Sequence, residues 1–195
     1  VGVFLQKKRY VLHVLDDEGI PVNKYKYTGV EVVRSTIPNA IKPYVKEIIE
    51  TMLHTRDLSS TDKVFLEAYD TFKQLPIEDI AFVMGMKDYT KYASKCSGYN
   101  TVKSMPIHTK AAYFYNLMID KFELDADFEK IDTGYKVRYF YVKQPNRYGL
   151  SIMGYKYYLP DQLKENFLPD TELMFEKVIF SIIERFYESV GWKIK

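Results

Sequence analysis

Residues 7–38 read KKRYVLHVLDDEGIPVNKYKYTGVEVVRSTIP and decide how the first part of the chain folds. The stretch after the basic cluster alternates between apolar and polar residues, which is typical of a strand with one buried face. Asp16-Asp17-Glu18-Gly19 is a turn signal, and a second extended run, residues 24–33, follows at hairpin distance. We therefore predict a β-hairpin over residues 3–33, with the basic cluster on or beside its first strand.

The cluster Lys7-Lys8-Arg9 is the most informative feature of this hairpin. Burial of consecutive cations in a strand costs a large desolvation free energy, so at least two must face solvent or a polyanion. On a strand, Lys8 and Tyr10 would share one face, and Lys7 and Arg9 the other. Two interpretations stay open: a solvated edge strand that uses lysine against aggregation, and contact with the phosphates and groove of a nucleic-acid duplex.

Helical spacing of apolar residues predicts most of the remaining structure. Ser35-Thr36-Ile37-Pro38 combines a capping residue with a proline and indicates a helix start. The predicted helices cover residues 37–53, 59–75, 108–122 and the segment from 170 onward. Extended segments are predicted at 77–83, 135–142 and 150–159, and a polar loop at 87–102. The predicted fold class is α+β, a mainly helical body with a small antiparallel sheet at the N-terminus.

Composition limits the classes of function only weakly. A chain of 195 residues is long enough for one sizeable core, or for one core with a small appendage. The net charge of +2 says little about partners, so a nucleic-acid binder of this composition must concentrate its cations on one face. The single cysteine, Cys96, excludes an internal disulfide and fits a reducing cytoplasm. No apolar run of about 18 residues is present, so we expect no membrane span.

Recognisable catalytic motifs are missing from the sequence. His13, His54 and His108 lack the spacing of metal ligands, and there is no nucleophile elbow or glycine-rich phosphate loop. Asp125-Ala126-Asp127 lies in an acidic connection and is interpreted as a solvated turn, although a hydrolase that uses Asp125 and Asp127 remains an alternative. We therefore predict no catalytic residue and no metal ligand in this chain.

In order and spacing, several segments resemble the palm-to-thumb passage of family B DNA polymerases, and the bacteriophage replicative members most of all. They are Lys7-Lys8-Arg9-Tyr10, the turn at 16–19, Gly29-Val30-Glu31 and Arg34-Ser35-Thr36-Ile37-Pro38. Pro106-Ile107-His108 and residues 135–146 resemble later thumb segments, so the resemblance runs nearly from end to end. It implies that residues 1–33 are the C-terminal strands of the palm and that residues 34–195 are the thumb.

The resemblance implies a DNA-directed DNA polymerase as the parent protein, in which this segment binds the primer–template duplex without sequence preference. The implied DNA contacts are Lys7, Lys8, Arg9, Tyr10, Arg34, Lys103, His108, Lys110, Lys143 and Arg147. In such a parent, Lys7 and Lys8 would reach the minor groove, Arg9 would pair with a phosphate and Tyr10 would pack beneath them.

The same resemblance implies what lies elsewhere in the parent. The family's catalytic aspartates, which use Mg²⁺, would precede Val1, so we expect the isolated chain to be inactive. The chain opens at Val1 directly in an apolar run and stops just after Trp192, so we expect both ends to be cuts within a longer protein. A sliding clamp is an expected partner of the parent, and the bacterial host cytoplasm is the expected location if the parent is phage-encoded. A stand-alone binding or scaffold domain unrelated to polymerases is the main alternative.

Overall fold

The computed structural model describes residues 1–34 and 37–193, and the chain divides into two compact units. The first unit comprises Val1–Asp79 and Phe175–Lys195, and the second comprises Ile80–Met174. Each unit combines helices with one three-stranded antiparallel sheet, which confirms the α+β class. Within the described residues, every helix is too short or too polar to span a bilayer.

The sheet of the first unit is an antiparallel meander in the order β1-β2-β3. Its strands are β1 (Gly2–Gln6), β2 (Arg9–Asp17) and β3 (Ile20–Thr28). The predicted acidic turn is confirmed: Glu18 and Gly19 both have positive φ, and the Asp16 carboxylate accepts a hydrogen bond from the Gly19 amide at 2.8 Å. The predicted single first strand is wrong, because the chain reverses at Lys7 and Lys8 and so makes two strands from it.

Helices complete the first unit. They are a 3₁₀ turn (Glu31–Val33), α1 (Lys42–Thr55), α2 (Leu58–Phe72), α3 (Ile77–Ile80, whose last residue begins the second unit), a π-helical segment (Glu176–Phe180) and α8 (Ser181–Ser189). The short helix α7 (Thr171–Phe175) belongs to the second unit except for Phe175. The buried Phe175 ring lies edge-on against Phe65, Tyr69 and Phe72 at centroid distances of 5.4, 4.9 and 5.5 Å. This aromatic cluster joins α2 to the C-terminal helical segment.

The predicted helix starts are partly corrected. The cap proposed at Ser35 and Thr36 lies outside the described residues, and α1 begins at Lys42 with Pro43 in its first turn. Proline is well tolerated there because the first amides of a helix have no intrahelical partner. The next helix begins at Leu58, one residue before the predicted start, and its cap is Asp57, whose carboxylate accepts a hydrogen bond from the Ser60 amide at 2.7 Å.

The second unit is built around a sheet in the order β4-β5-β6. Its elements are β4 (Phe82–Gly85), α4 (Tyr89–Ala93), α5 (Ile107–Lys121), β5 (Lys136–Tyr141), β6 (Ile152–Tyr155) and α6 (Asp161–Asn166). The strand predicted over 77–83 is wrong in its first half, which forms α3. The expectation of one small sheet is also corrected, because the predicted later strands pair into this second sheet.

Close packing fixes α5 against this sheet. Gly154 in β6 lies so near the helix that an added Cβ would sit 2.8 Å from the Ala111 carbonyl oxygen. The buried Asn116 side chain donates to the Ile131 carbonyl at 2.7 Å and accepts from the Ile131 amide at 2.8 Å. It therefore provides hydrogen-bond partners for the buried backbone amide and carbonyl of Ile131, a residue that belongs to no strand.

Candidate nucleic-acid interface

Lys7 and Lys8 form the tight turn between β1 and β2, where Gln6 pairs with Arg9. Both lysine side chains are exposed, and neither forms an ion pair with any described residue. The predicted alternation of Lys7, Lys8, Arg9 and Tyr10 along one strand is therefore wrong. A turn presents both ammonium groups to solvent without burying either, which removes the desolvation cost that a continuous strand would carry.

The backbone of this turn depends on Gly29, which follows β3. Lys8 has φ of 64°, a left-handed conformation that costs a non-glycine residue about 1–2 kcal/mol. Gly29, with φ of 63°, lies directly against it: an added Cβ would overlap the Lys8 carbonyl oxygen and lie 3.3 Å from Arg9 Cγ. The absence of a side chain at Gly29 therefore makes room for the basic turn.

Arg9 is held inside the unit by a carboxylate. Its guanidinium forms an ion pair with Glu31 Oε1, and both side chains are less than one-fifth exposed. Arg185 Nη1 in α8 donates to the same Oε1 at 2.9 Å, and its side chain is about half exposed. One carboxylate oxygen thus joins the first residue of β2, the 3₁₀ turn and the last helix. No sequence motif indicates a role for Arg185, which lies 154 positions from Glu31.

The electrostatics of Glu31 follow from these contacts. Partial burial works to raise the pKa of its carboxyl, but the nearby backbone amide of Glu31 itself and the Arg9 and Arg185 guanidinium groups outweigh burial. The net result is a pKa below the ordinary value of 4.5, so Glu31 is ionised at neutral pH. The cluster therefore carries two positive charges and one negative charge.

The other predicted contacts of the first unit lie near this cluster in sequence. Tyr10 is half-buried on β2, opposite Thr28, and its ring lies 5.3 Å from the exposed ring of Phe4. Arg34 is exposed at the end of the 3₁₀ turn, where its amide donates to the Glu31 carbonyl at 2.8 Å. Both residues are accessible for contact with a ligand.

In the second unit, three predicted residues gather where α5 begins. Lys103 is exposed in the preceding turn, and His108 and Lys110 lie in the first turn of the helix. Partial burial lowers the pKa of His108 below its ordinary value of 6.5, so its ring is neutral at pH 7. A phosphate contact by His108 would therefore be a neutral hydrogen bond, and the charge would come from the two lysines.

The remaining two predicted cations, Lys143 and Arg147, lie in the β5–β6 connection and are exposed. Asn146 organises this loop: its amide donates to the Leu150 carbonyl at 2.8 Å and its carbonyl oxygen accepts from the Tyr148 amide at 3.1 Å. Asparagine suits such a position because its side chain replaces backbone partners in a turn.

These two groups of the second unit are not adjacent. The ring of Tyr148, next to Arg147, packs against Phe122 just past the C-terminal end of α5, at 6.1 Å. Lys103 and His108 lie at the N-terminal end of the same helix. Since α5 has 15 residues, the two groups are separated by roughly 20 Å along its axis. They can contact one extended ligand, but not one small one.

The acidic residues do not assemble into a metal centre within the described part of the chain. Asp125 and Asp127 are exposed in the turn after α5, as predicted. Glu129 forms an ion pair with the buried Lys156, whose ammonium lies 3.7 Å from the centre of the Tyr135 ring. This lysine has a structural role in the second unit.

Comparison with known proteins finds sequence similarity to one class of enzyme. No protein-family model matches it. It is, however, similar to part of a DNA-directed DNA polymerase, which confirms the predicted resemblance to a phage polymerase. That enzyme is the polymerase of Escherichia phage RB69, and the two sequences are 29% identical over 191 residues. The alignment covers 95% of this chain and 20% of the phage enzyme, so the chain spans about a fifth of this relative.

Proposed function

We propose that this chain is the DNA-gripping C-terminal part of a family B DNA-directed DNA polymerase, and that it binds primer–template duplex without sequence preference. The observation that carries the proposal is the Lys7–Lys8 turn, an exposed pair of cations whose backbone packs directly against Gly29. The similarity to a phage DNA polymerase over nearly the whole chain supports it.

The geometry of the turn suits contact with a duplex. Two adjacent ammonium groups at the tip of a hairpin reach acceptors along a groove or two neighbouring phosphates. Lysine is a compact point charge with rotatable donors, so such a contact requires no particular base sequence. A copying enzyme needs this property, because the minor groove presents acceptors that correct base pairs share.

Each unit supplies its own cations in this proposal. In the second unit, the two ends of α5 present Lys103 with Lys110 and Lys143 with Arg147, roughly 20 Å apart. At about 3.4 Å per nucleotide, this separation corresponds to roughly six nucleotides along one strand of a duplex. The second unit therefore matches a duplex that extends along α5.

In this proposal, the chemistry of nucleotide transfer is carried out by parts of the parent outside these 195 residues. We propose that the chain supplies no catalytic carboxylate, that Mg²⁺ binds elsewhere in the parent, and that thumb residues follow the palm strands from residue 34. A sliding clamp remains a proposed partner of the parent.

The proposal is tested by fluorescence anisotropy with primer–template duplexes of unrelated sequence. We expect equal affinities for all of them, and weaker binding by a Lys7→Ala/Lys8→Ala variant. A Lys63→Gln variant, which neutralises an exposed lysine of α2, is the matched control. Strong preference for one sequence, or equal loss in the control, contradicts a sequence-independent grip by the turn.

A finer test concerns fidelity in the full-length parent. A mispair displaces the minor-groove acceptors that Lys8 would contact. Lys8→Ala is therefore expected to slow primer extension from matched ends more than from mismatched ends. Equal slowing of both would remove this role from Lys8 and leave only a general electrostatic one.

A further inference from the structure

Arg185 is the more exposed of the two arginines that pair with Glu31. A guanidinium has five N–H donors, and the described contact with Glu31 uses Nη1. The side chain is 51% exposed, whereas that of Arg9 is only 18% exposed. Both arginines line a cleft of about 510 Å³ beside the basic turn, together with Leu5, Gln6, Glu188 and Ser189.

We propose that Arg185 is a phosphate-binding residue and that its guanidinium pairs with Glu31 when no phosphate is bound. This inference rests on the proposed function, because it extends the basic surface of Lys7 and Lys8 to the last helix. It also gives Arg9 a different role from the one that the sequence predicted. Arg9 positions the turn, and Arg185 contacts the phosphate.

The unpaired atoms of the cluster support this exchange. Both guanidinium groups bind Glu31 Oε1, while Glu31 Oε2 and Arg9 Nε are buried and have no hydrogen-bond partner among the described residues. If Arg185 turns toward a phosphate, the Glu31 carboxylate is free to rotate onto Arg9. A two-point pair of Oε1 and Oε2 with the Arg9 guanidinium would then satisfy both unpaired atoms.

The release of Arg185 is therefore compensated within the cluster. Glu31 keeps a counterion, and Arg185 exchanges one charge-assisted hydrogen bond for another. Glu188 lines the same cleft and repels a phosphate, which weakens the contact and makes it sensitive to salt. A nucleic-acid backbone and a free phosphate ion share the chemistry that this site would recognise.

The first test is the salt dependence of duplex affinity for Arg185→Gln, with Lys63→Gln as control. If Arg185 contacts a phosphate, the slope of log affinity against log salt becomes shallower by about 0.9. Arg185→Lys, which keeps the charge, is expected to retain most of the slope. An unchanged slope in Arg185→Gln overturns the proposal. A shallower slope supports it even if the variant is less stable, because lost stability alone does not remove a counterion-release contribution.

A second measurement separates this inference from the proposed function. The guanidinium ¹⁵N–¹H resonances of Arg185 are followed by NMR during titration with inorganic phosphate, with the exposed Arg56 as control. A shift selective for Arg185 supports the site, even if the wild-type chain fails to bind duplex and the proposed function fails. Equal shifts at both arginines, or none at Arg185, overturn the site.

Discussion

Gly29→Ala is the sharpest perturbation of the basic turn. The methyl group meets two costs: a left-handed backbone at φ 63°, about 1–2 kcal/mol, and an overlap with the Lys8 carbonyl, about 1–3 kcal/mol for a forced backbone shift. We therefore expect the free energy of unfolding of the first unit to fall by about 2–5 kcal/mol. Gly19→Ala is the matched control, because its φ is 85° but nothing lies within 4 Å of the added Cβ.

The assay uses the chain's single tryptophan, Trp192, which lies in the first unit with its ring edge-on to Tyr187 at 5.5 Å. Urea unfolding followed by its fluorescence reports the stability of that unit. Both variants share the effect of alanine on the unfolded chain, so their difference isolates the contact with Lys8. If Gly29→Ala loses no more stability than Gly19→Ala, the close approach of Gly29 to Lys8 does not support the turn.

Three further predictions concern the packing and the charge of each unit. Asn116→Ala leaves the Ile131 amide and carbonyl unpaired and should cost about 2–4 kcal/mol; hydrogen exchange at the Ile131 amide would speed up, and unchanged exchange would contradict it. The lowered pKa of Glu31 stabilises the fold above its ordinary value of 4.5, and this contribution is lost as pH falls through the lower folded-state value. As pH falls from about 5 to 3, the free energy of unfolding, measured with urea, should thus decrease more in wild type than in Glu31→Gln. Equal decreases in the two proteins would argue against the cluster. Gly154→Ala, which would place Cβ 2.8 Å from the Ala111 carbonyl, should lower the thermal midpoint of the second unit, and an unchanged midpoint would mean that α5 can shift freely.

Local patterns were sufficient for the elements with strong periodicity. The stripe of α1, with Val45, Ile48 and Ile49 buried, follows directly from 3.6-residue spacing, and α5 follows in the same way. The turn at Glu18-Gly19 carries its own signal, because glycine accepts positive φ. In these segments, burial of one face and local backbone preference agree.

The basic turn was not predictable because its cause is remote. Nothing in Gln6-Lys7-Lys8-Arg9 is a turn signal, and Lys8 adopts positive φ beside Gly29, 21 positions later. Arg185 was missed for a similar reason, since an arginine on the polar face of an amphipathic helix looks like an ordinary surface charge. Its pairing with Glu31 depends on how α8 packs in the first unit, which spacing along the chain does not encode.

The affinity of the chain for a primer–template duplex, titrated across salt, decides whether the Lys7–Lys8 turn binds DNA. Roughly six phosphate contacts give a slope of log affinity against log salt near −5, and loss of two contacts in Lys7→Ala/Lys8→Ala makes it shallower by about 2. We expect both values, with the Lys63→Gln control close to wild type. Absence of binding at low salt, or a slope that the double variant leaves unchanged, would contradict the grip by this turn.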